Sequence, residues 1–288
     1  MIFRARQHEF RFPRPAILMG VLNVTPDSFY DGGRYFNPSD PSAAVAHAHQ
    51  LIVQGAEIID IGGESTRPGA APVSARDELS RVIPVIERLT ASLTKAVISI
   101  DTQKTEVARE AVAAGAHIIN NIAAAANDPA MWQIAASSGA GYVAMHMQGE
   151  PQTMQKHPHY TNVVREIHEF FAKQFEQLTA AGVSREQIVF DVGIGFGKTL
   201  EHNLQLLARL DEARAGDRPM LLGVSRKSFM GRLLKVEADQ RLAPALACAV
   251  WAAGRGMEIF RTHDVAETVA ALRMFEAIQN ERKSSSHP

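Results

Sequence analysis

Eight short apolar runs in this chain each give way to a polar residue, and helix-length stretches separate most of them. The runs span 17–22, 57–61, 97–100, 117–119, 141–145, 188–190, 220–224 and 258–260. The polar groups that follow are Asn23, Gly62-Gly63-Glu64, Asp101, Asn120-Asn121, His146, Asp191, Ser225-Arg226-Lys227 and Arg261-Thr262-His263. Strands that alternate with helices predict parallel pairing with right-handed crossovers. The runs lack an apolar/polar alternation, which predicts strands covered on both faces.

Helices are predicted over 41–54, 75–93, 106–114, 129–137, 161–181, 202–215, 240–254 and 265–281. Ser42 and Ser74 stand near starts, and Gly55, Gly115 and Gly182 lie just past ends. Two architectures suit such a pattern, an open doubly wound sheet and a closed barrel. In an open sheet only the strand tips near the crossover reversal share a ligand. Eight polar tips favour a single-domain (β/α)8 barrel, where all of them converge on one mouth, and 288 residues suffice for it. Residues 1–15 are read as an N-terminal extension, 16–281 as the barrel and 282–288 as a disordered tail.

Charge then narrows the partners. The 30 basic and 31 acidic side chains leave a formal net charge of −1, which argues against bulk electrostatic capture of nucleic acid or of an acidic membrane. No stretch approaches the ~18 continuous apolar residues of a membrane span. Residues 1–15 alternate Phe with Arg and do not read as a secretory signal. A single cysteine, Cys248, allows no internal disulfide, so a reducing, cytoplasmic setting is expected.

The segments after strands are longer and richer in Gly, Pro and polar residues than those after helices, most visibly 24–40, 62–74 and 147–160, as expected of binding loops. The first carries Asp27 with Phe29 and Tyr30; the second carries Thr66 and Arg67, a hydroxyl and a guanidinium suited to an anion. Asp101, Asn120 and Asp191 end strands 3, 4 and 6. Each alone could be a helix cap, but together they offer donors and acceptors fitted to an aminopyrimidine-like edge. Lys227, Arg261 and His263 follow strands 7 and 8, where barrel enzymes commonly hold phosphate. GIGFGKT at 193–199 fails as a nucleotide phosphate loop, because GxxxxGK[ST] needs glycine at 192 and Val192 stands there. His146, His157 and His159 lack a zinc pattern. Mg²⁺ held mainly by a substrate diphosphate fits better.

Eight segments, in order, carry a resemblance: GVLNVTPDSFYDGG, IDIGGESTRPGA, SIDTQKTEVA, GAHIINNI, AMHMQGEPQTMQ, DVGIGFGKT, GVSRKSF and RTHDV. Together they resemble the bacterial dihydropteroate synthase family nearly end to end. The resemblance implies a pterin-binding (β/α)8 barrel that condenses 6-hydroxymethyl-7,8-dihydropterin diphosphate with 4-aminobenzoate, giving 7,8-dihydropteroate and diphosphate. By the family pattern Asp101, Asn120, Asp191 and Lys227 hold the pterin, with Met145 and Phe196 in its apolar surroundings. Asn23, Arg261 and His263 hold the diphosphate, and Asn23 also contacts Mg²⁺. Thr66 and Arg67 lie near the diphosphate, and Ser228 lies where the aminobenzoate carboxylate binds. A homodimer is implied as well. The chemistry itself adds Asp27, which in the first long loop is near enough to help steady the developing cation.

Two positions depart from the family pattern. Asn121 stands where the family has Asp; alternation puts it opposite Asn120, which makes it a supporting residue. Val192 replaces a proline, which frees φ after Asp191 and loosens its aim. Two rival functions remain: a pterin-binding methyltransferase module, which needs neither the diphosphate cations nor the TPDSF segment, and a pterin-binding protein without catalysis.

Overall fold

Successive side chains of a strand point to opposite faces, so a closed sheet with helices outside must be apolar on both. That is how this chain folds. The computed structural model describes residues 1–25, 40–65, 70–92, 96–123 and 127–284. Two short strands, β1 (Ile2–Ala5) and β2 (His8–Arg11), form an antiparallel hairpin. Eight parallel strands then close a barrel: β3 (Ile17–Asn23), β4 (Ile58–Gly62), β5 (Val97–Asp101), β6 (Ile118–Asn121), β7 (Gly141–Met145), β8 (Ile188–Asp191), β9 (Met220–Gly223) and β10 (Ile259–Thr262), which pairs back onto β3.

Around it run α1 (Ser42–Val53), α2 (Ala75–Ser92), α3 (Thr105–Ala113), α4 (Pro129–Ser138), α5 (Val163–Ala180), α6 (Leu200–Ala208), α7 (Leu210–Ala213), α8 (Ser228–Leu234), α9 (Leu242–Gly254) and α10 (Val265–Ser284). The (β/α)8 barrel expected from the runs is the one observed. Among the described residues no helix is long and apolar enough to cross a membrane.

Leu18, Leu22, Ile59, Ile61, Ile98, Ile100, Tyr142 and Phe190 face outward into the main core beneath the helices. Ile17, Met19, Ile58, Val97, Ile118, Val143, Val189, Leu221 and Ile259 form a second cluster with Phe3, Ala5 and Phe10 of the hairpin. The apparent lack of alternation is therefore alternation between two apolar cores. One turn of pleat higher, the inward positions become Asp60, Ser99, Asn120, Asp191 and Arg261. That change from hydrocarbon to polar groups within the barrel divides a sealed lower half from an active upper one.

The hairpin makes the seal, a role the sequence reading of residues 1–15 as an extension did not give it. Phe3 is wholly buried and stacks on Phe10 with ring centroids 5.8 Å apart. Its ring occupies the space beside Gly141, where a Cβ would stand 2.8 Å from Phe3 Cζ. The Arg6 N–H donates to Gly139 O at 2.7 Å, and Arg218 Nη2 donates to Ile2 O.

Helix boundaries follow local chemistry. Asp128 accepts from the N–H groups of Ala130 and Met131, with Pro129 opening α4 and Gly139 ending it at φ 71°. Thr199 and His202 close a reciprocal cap on α6.

Three expectations need correction. The helix predicted over 202–215 breaks at Arg209 (φ −131°, ψ 38°), turning Leu210 and Ala213 into the core. A short helix, α8, follows β9 unannounced. Residues 282–284, drawn into the tail, belong to α10, since 265–284 contains neither Gly nor Pro to stop it. Residues 285–288 lie outside the described residues.

The plug yields a stability test. Phe3→Ala removes a fully buried ring and should cost about 3–5 kcal/mol, read as a shifted midpoint in denaturant unfolding at unchanged slope.

Candidate active site

At the C-terminal ends of the strands opens a cavity of about 430 Å³, and ten expected residues line it: Asn23, Asp101, Asn120, Met145, Asp191, Phe196, Lys227, Ser228, Arg261 and His263. Seven of the eight barrel strands, or the segments following them, contribute to that set. Asp27, Thr66 and Arg67, the remaining expected residues, lie outside the described residues.

The floor is a polar network. Arg261, near the end of β10, donates through Nε to Asp60 Oδ2 and through Nη2 to Asp101 Oδ2, both at 2.6 Å. Asn120 Nδ2 donates to the same Asp60 oxygen at 3.1 Å. Burial pushes Asp101 up to about 7, aided by Asp60 and Glu78 and opposed by the Arg261 and Lys227 charges. The flanking carboxylates hold Arg261 firmly in its cationic form, against its own burial. Oδ1 of Asp60, of Asp101 and of Asn120 are buried with no partner among the described residues. Buried acceptors without donors are rare and costly, so three in one mouth mark a place prepared for incoming N–H groups.

On one wall, Asp191 at the end of β8 accepts the Gly193 N–H through Oδ1 at 2.8 Å. This bond holds its carboxylate even though Val192 supplies no fixed φ. Burial raises Asp191 above the ordinary carboxylate range, opposed by that N–H and by Lys227, Arg261 and Lys198.

The glycine-rich segment has a structural purpose. Gly193 (φ 63°) and Gly197 (φ 60°) lie against the backbone after β7, where a Cβ would meet His146 O at 1.9 Å and Gln148 O at 2.3 Å. Lys198, 1% exposed, closes it from beneath: Nζ lies 3.0 Å from Gly193 O, Phe196 O and His146 Nδ1 alike. Desolvation brings Lys198 down to about 7, and desolvation with the Lys198 charge keeps His146 well below its ordinary value.

The segment delivers Phe196, whose ring carries Lys227 Nζ 3.9 Å from its centroid. Desolvation first, then Arg261, lowers Lys227 to about 8, against Asp191 and Asp101.

At the rim, Ser225 Oγ lies 3.1 Å from His263 Nδ1 and accepts the His263 backbone N–H at 3.2 Å. Arg226, at φ 60°, clasps Asp264 with two hydrogen bonds, which ties the segment after β9 to that after β10. Glu64, beyond β4, accepts from Lys104 Nζ at 2.7 Å, and the buried Glu78 accepts from the same nitrogen at 2.5 Å.

Asn121 points away from the mouth and donates to Tyr142 Oη at 2.7 Å, as strand alternation required. Asp60, Lys198 and the Glu64–Lys104–Glu78 group were missed. Asp60 had a signal: it lies two residues beyond inward-facing Ile58, in register with Ser99 of β5. The lysine contacts carried none, because their partners are backbone carbonyls and residues distant in sequence.

Unpaired acceptors on the floor, an aromatic and two methionines on the sides (Met145, Met154) and cations at the rim define a barrel enzyme for a flat, N–H-bearing ring with an anionic substituent. Residues 19–263 match the pterin binding enzyme family. The dihydropteroate synthase of Escherichia coli K12 is 48% identical over 270 residues, 94% of each chain. A crystal structure of Yersinia pestis dihydropteroate synthase in complex with a sulfonamide drug covers 97% of this chain and 100% of its own, at 45% identity and TM-score 0.91. That of the Burkholderia cenocepacia enzyme with 7,8-dihydropteroate covers 98% of both, at 40% identity and TM-score 0.87. The chain belongs to the pterin-binding enzymes and, within them, to the dihydropteroate synthase family.

The lowered Lys227 sets a pH limit. An ammonium with a folded-state value near 8 is present below that pH and lost above it. Turnover that depends on it should decline as pH rises through about 8, and Lys227→Arg should move that limb to higher pH in a kcat/KM profile.

Proposed function

We propose that this barrel joins 6-hydroxymethyl-7,8-dihydropterin diphosphate to 4-aminobenzoate, releasing 7,8-dihydropteroate and diphosphate in folate biosynthesis. The observation that carries the reading is the convergence of unpaired buried acceptors and rim cations on one mouth, in a chain whose Burkholderia relative holds 7,8-dihydropteroate.

The ring N–H groups meet Asp101, Asn120 and Asp191, and Phe196 and Met145 cover its apolar faces. The methylene–oxygen bond then breaks with its electron pair going to the diphosphate. Arg261, His263 and Lys227 stabilise that developing negative charge. Positive charge left on the methylene spreads into the electron-rich reduced pterin. The aromatic amine, held in line, forms the carbon–nitrogen bond and gives up a proton to the diphosphate. Ser228, opening α8, offers its hydroxyl to the aminobenzoate carboxylate. Thr66 and Arg67 take the part beside the diphosphate that the resemblance gives them, and Asp27 steadies the developing cation.

A Mg²⁺ fits this site through Asn23, whose amide oxygen is a hard donor on the cavity wall. Among the described residues no group of three or more His, Cys, Asp or Glu could hold a metal, so diphosphate oxygens would complete its shell. Bound there, the ion would neutralise part of the leaving-group charge.

The methyltransferase reading gains no support from relatives that are synthases along nearly the whole chain. A cytoplasmic homodimer completes the proposal. The dimer is supported by apolar side chains left exposed on neighbouring helices, Trp251 (50%) on α9 and Met274 (64%) and Ile278 (58%) on α10.

Diphosphate release should require both substrates together, and Lys227→Ala or Asp191→Asn should lower kcat/KM by about 10²-fold or more; full activity in either variant would remove that residue's role. Light scattering should give a dimer mass, and Met274→Glu with Ile278→Glu should halve it.

A further inference from the structure

Asp60 takes no part in the reaction as written, yet it stands inside the barrel on β4, bonded to two residues that line the mouth and without exposed surface. A carboxylate in that position is costly unless charged or hydrogen-bonded partners surround it. Its partners come from two other strands: Arg261 Nε at 2.6 Å and Asn120 Nδ2 at 3.1 Å, both on Oδ2.

Two geometric consequences follow. A guanidinium is planar, so fixing Nε on Asp60 and Nη2 on Asp101 fixes its plane. Nη1, which has no partner among the described residues, is then its remaining donor edge. An amide has one donor side and one acceptor side, so committing Asn120 Nδ2 to Asp60 turns Asn120 Oδ1 the other way. That oxygen is one of the buried acceptors with no partner.

Resting on the condensation proposed above, we infer that Asp60 is a positioning residue: it sets the edge that Arg261 shows to the diphosphate and the acceptor that Asn120 shows to a ring N–H. It acts through these two side chains and touches no reacting atom. The competing account is a counter-ion only, for which charge matters and acceptor geometry does not.

Two substitutions separate these. Asp60→Asn keeps an acceptor oxygen and loses the charge; Asp60→Leu keeps similar volume and loses both. Positioning predicts that the Asn variant stays within about tenfold of the parent kcat/KM for the pterin diphosphate, whereas the Leu variant falls about a hundredfold. Inhibition by inorganic diphosphate should weaken about tenfold or more in the Leu variant, while its KM for 4-aminobenzoate changes less than about threefold. In an Arg261→Lys background, which lacks the Nε edge, the further effect of Asp60→Leu should shrink to a few-fold.

Equal damage from Asn and Leu, full additivity with Arg261→Lys, or unchanged diphosphate inhibition in the Leu variant would overturn the inference. If thermal melts show that the Leu variant does not fold, Asp60→Val takes its place with the same expectations. Failure of the parent protein to release diphosphate from the two substrates would instead strike the proposed function.

Discussion

A single guanidinium joins three strands of the barrel floor. Arg261 from β10 is gripped by Asp60 from β4 and Asp101 from β5, and Asp60 also holds Asn120 of β6. Ion pairs of this kind gain little as a source of stability, because desolvation offsets most of the attraction. They are directional, however, and here direction has chemical value. The network settles which oxygens and nitrogens remain available at the mouth, and the rest of the site is arranged around those leftovers.

That arrangement depends on the change of character along the strand interior. Below Asp60 and Ser99 the inward positions are hydrocarbon and close on the Phe3–Phe10 stack. Above them Asp101, Asn120, Asp191 and Arg261 bring hydrogen-bonding groups to the mouth, with Val21 and Met145 as apolar wall between them. The dry base withholds water from the charges standing on it, and this desolvation moves Asp101 up to about 7 and Lys227 down to about 8 against the pull of their opposite charges. Loop chemistry adds a second layer: the Lys198 ammonium, ringed by carbonyls, holds the glycine segment that carries Phe196 under Lys227.

The barrel was legible in the sequence because each strand is short, apolar on both faces and ended by a group that bonds. Predicted run 97–100 and observed β5 (Val97–Asp101) differ only in whether the polar tip belongs to the strand. Asp101, Asn120 and Asp191 could be read as a set because all stand at such tips; Lys227, four residues beyond β9 at the start of α8, joined them through the family resemblance. Asp60 stands two residues short of its own tip, inside a run read as core, and only closure of the barrel brings Arg261 from two strands away onto it. The break at Arg209 and the hairpin plug were illegible for a different reason. Both are decided by packing against residues far along the chain, about which local periodicity is silent.

The plug also ties the two ends of the barrel sequence together. Phe3 and Phe10 precede every barrel strand in the chain, yet the cluster that receives them gathers Ile17 of β3, Val143 of β7, Leu221 of β9 and Ile259 of β10. Its full set of walls exists only once the barrel has closed. A hairpin that folds locally thus finds its seat only through strands drawn from the whole length of the barrel.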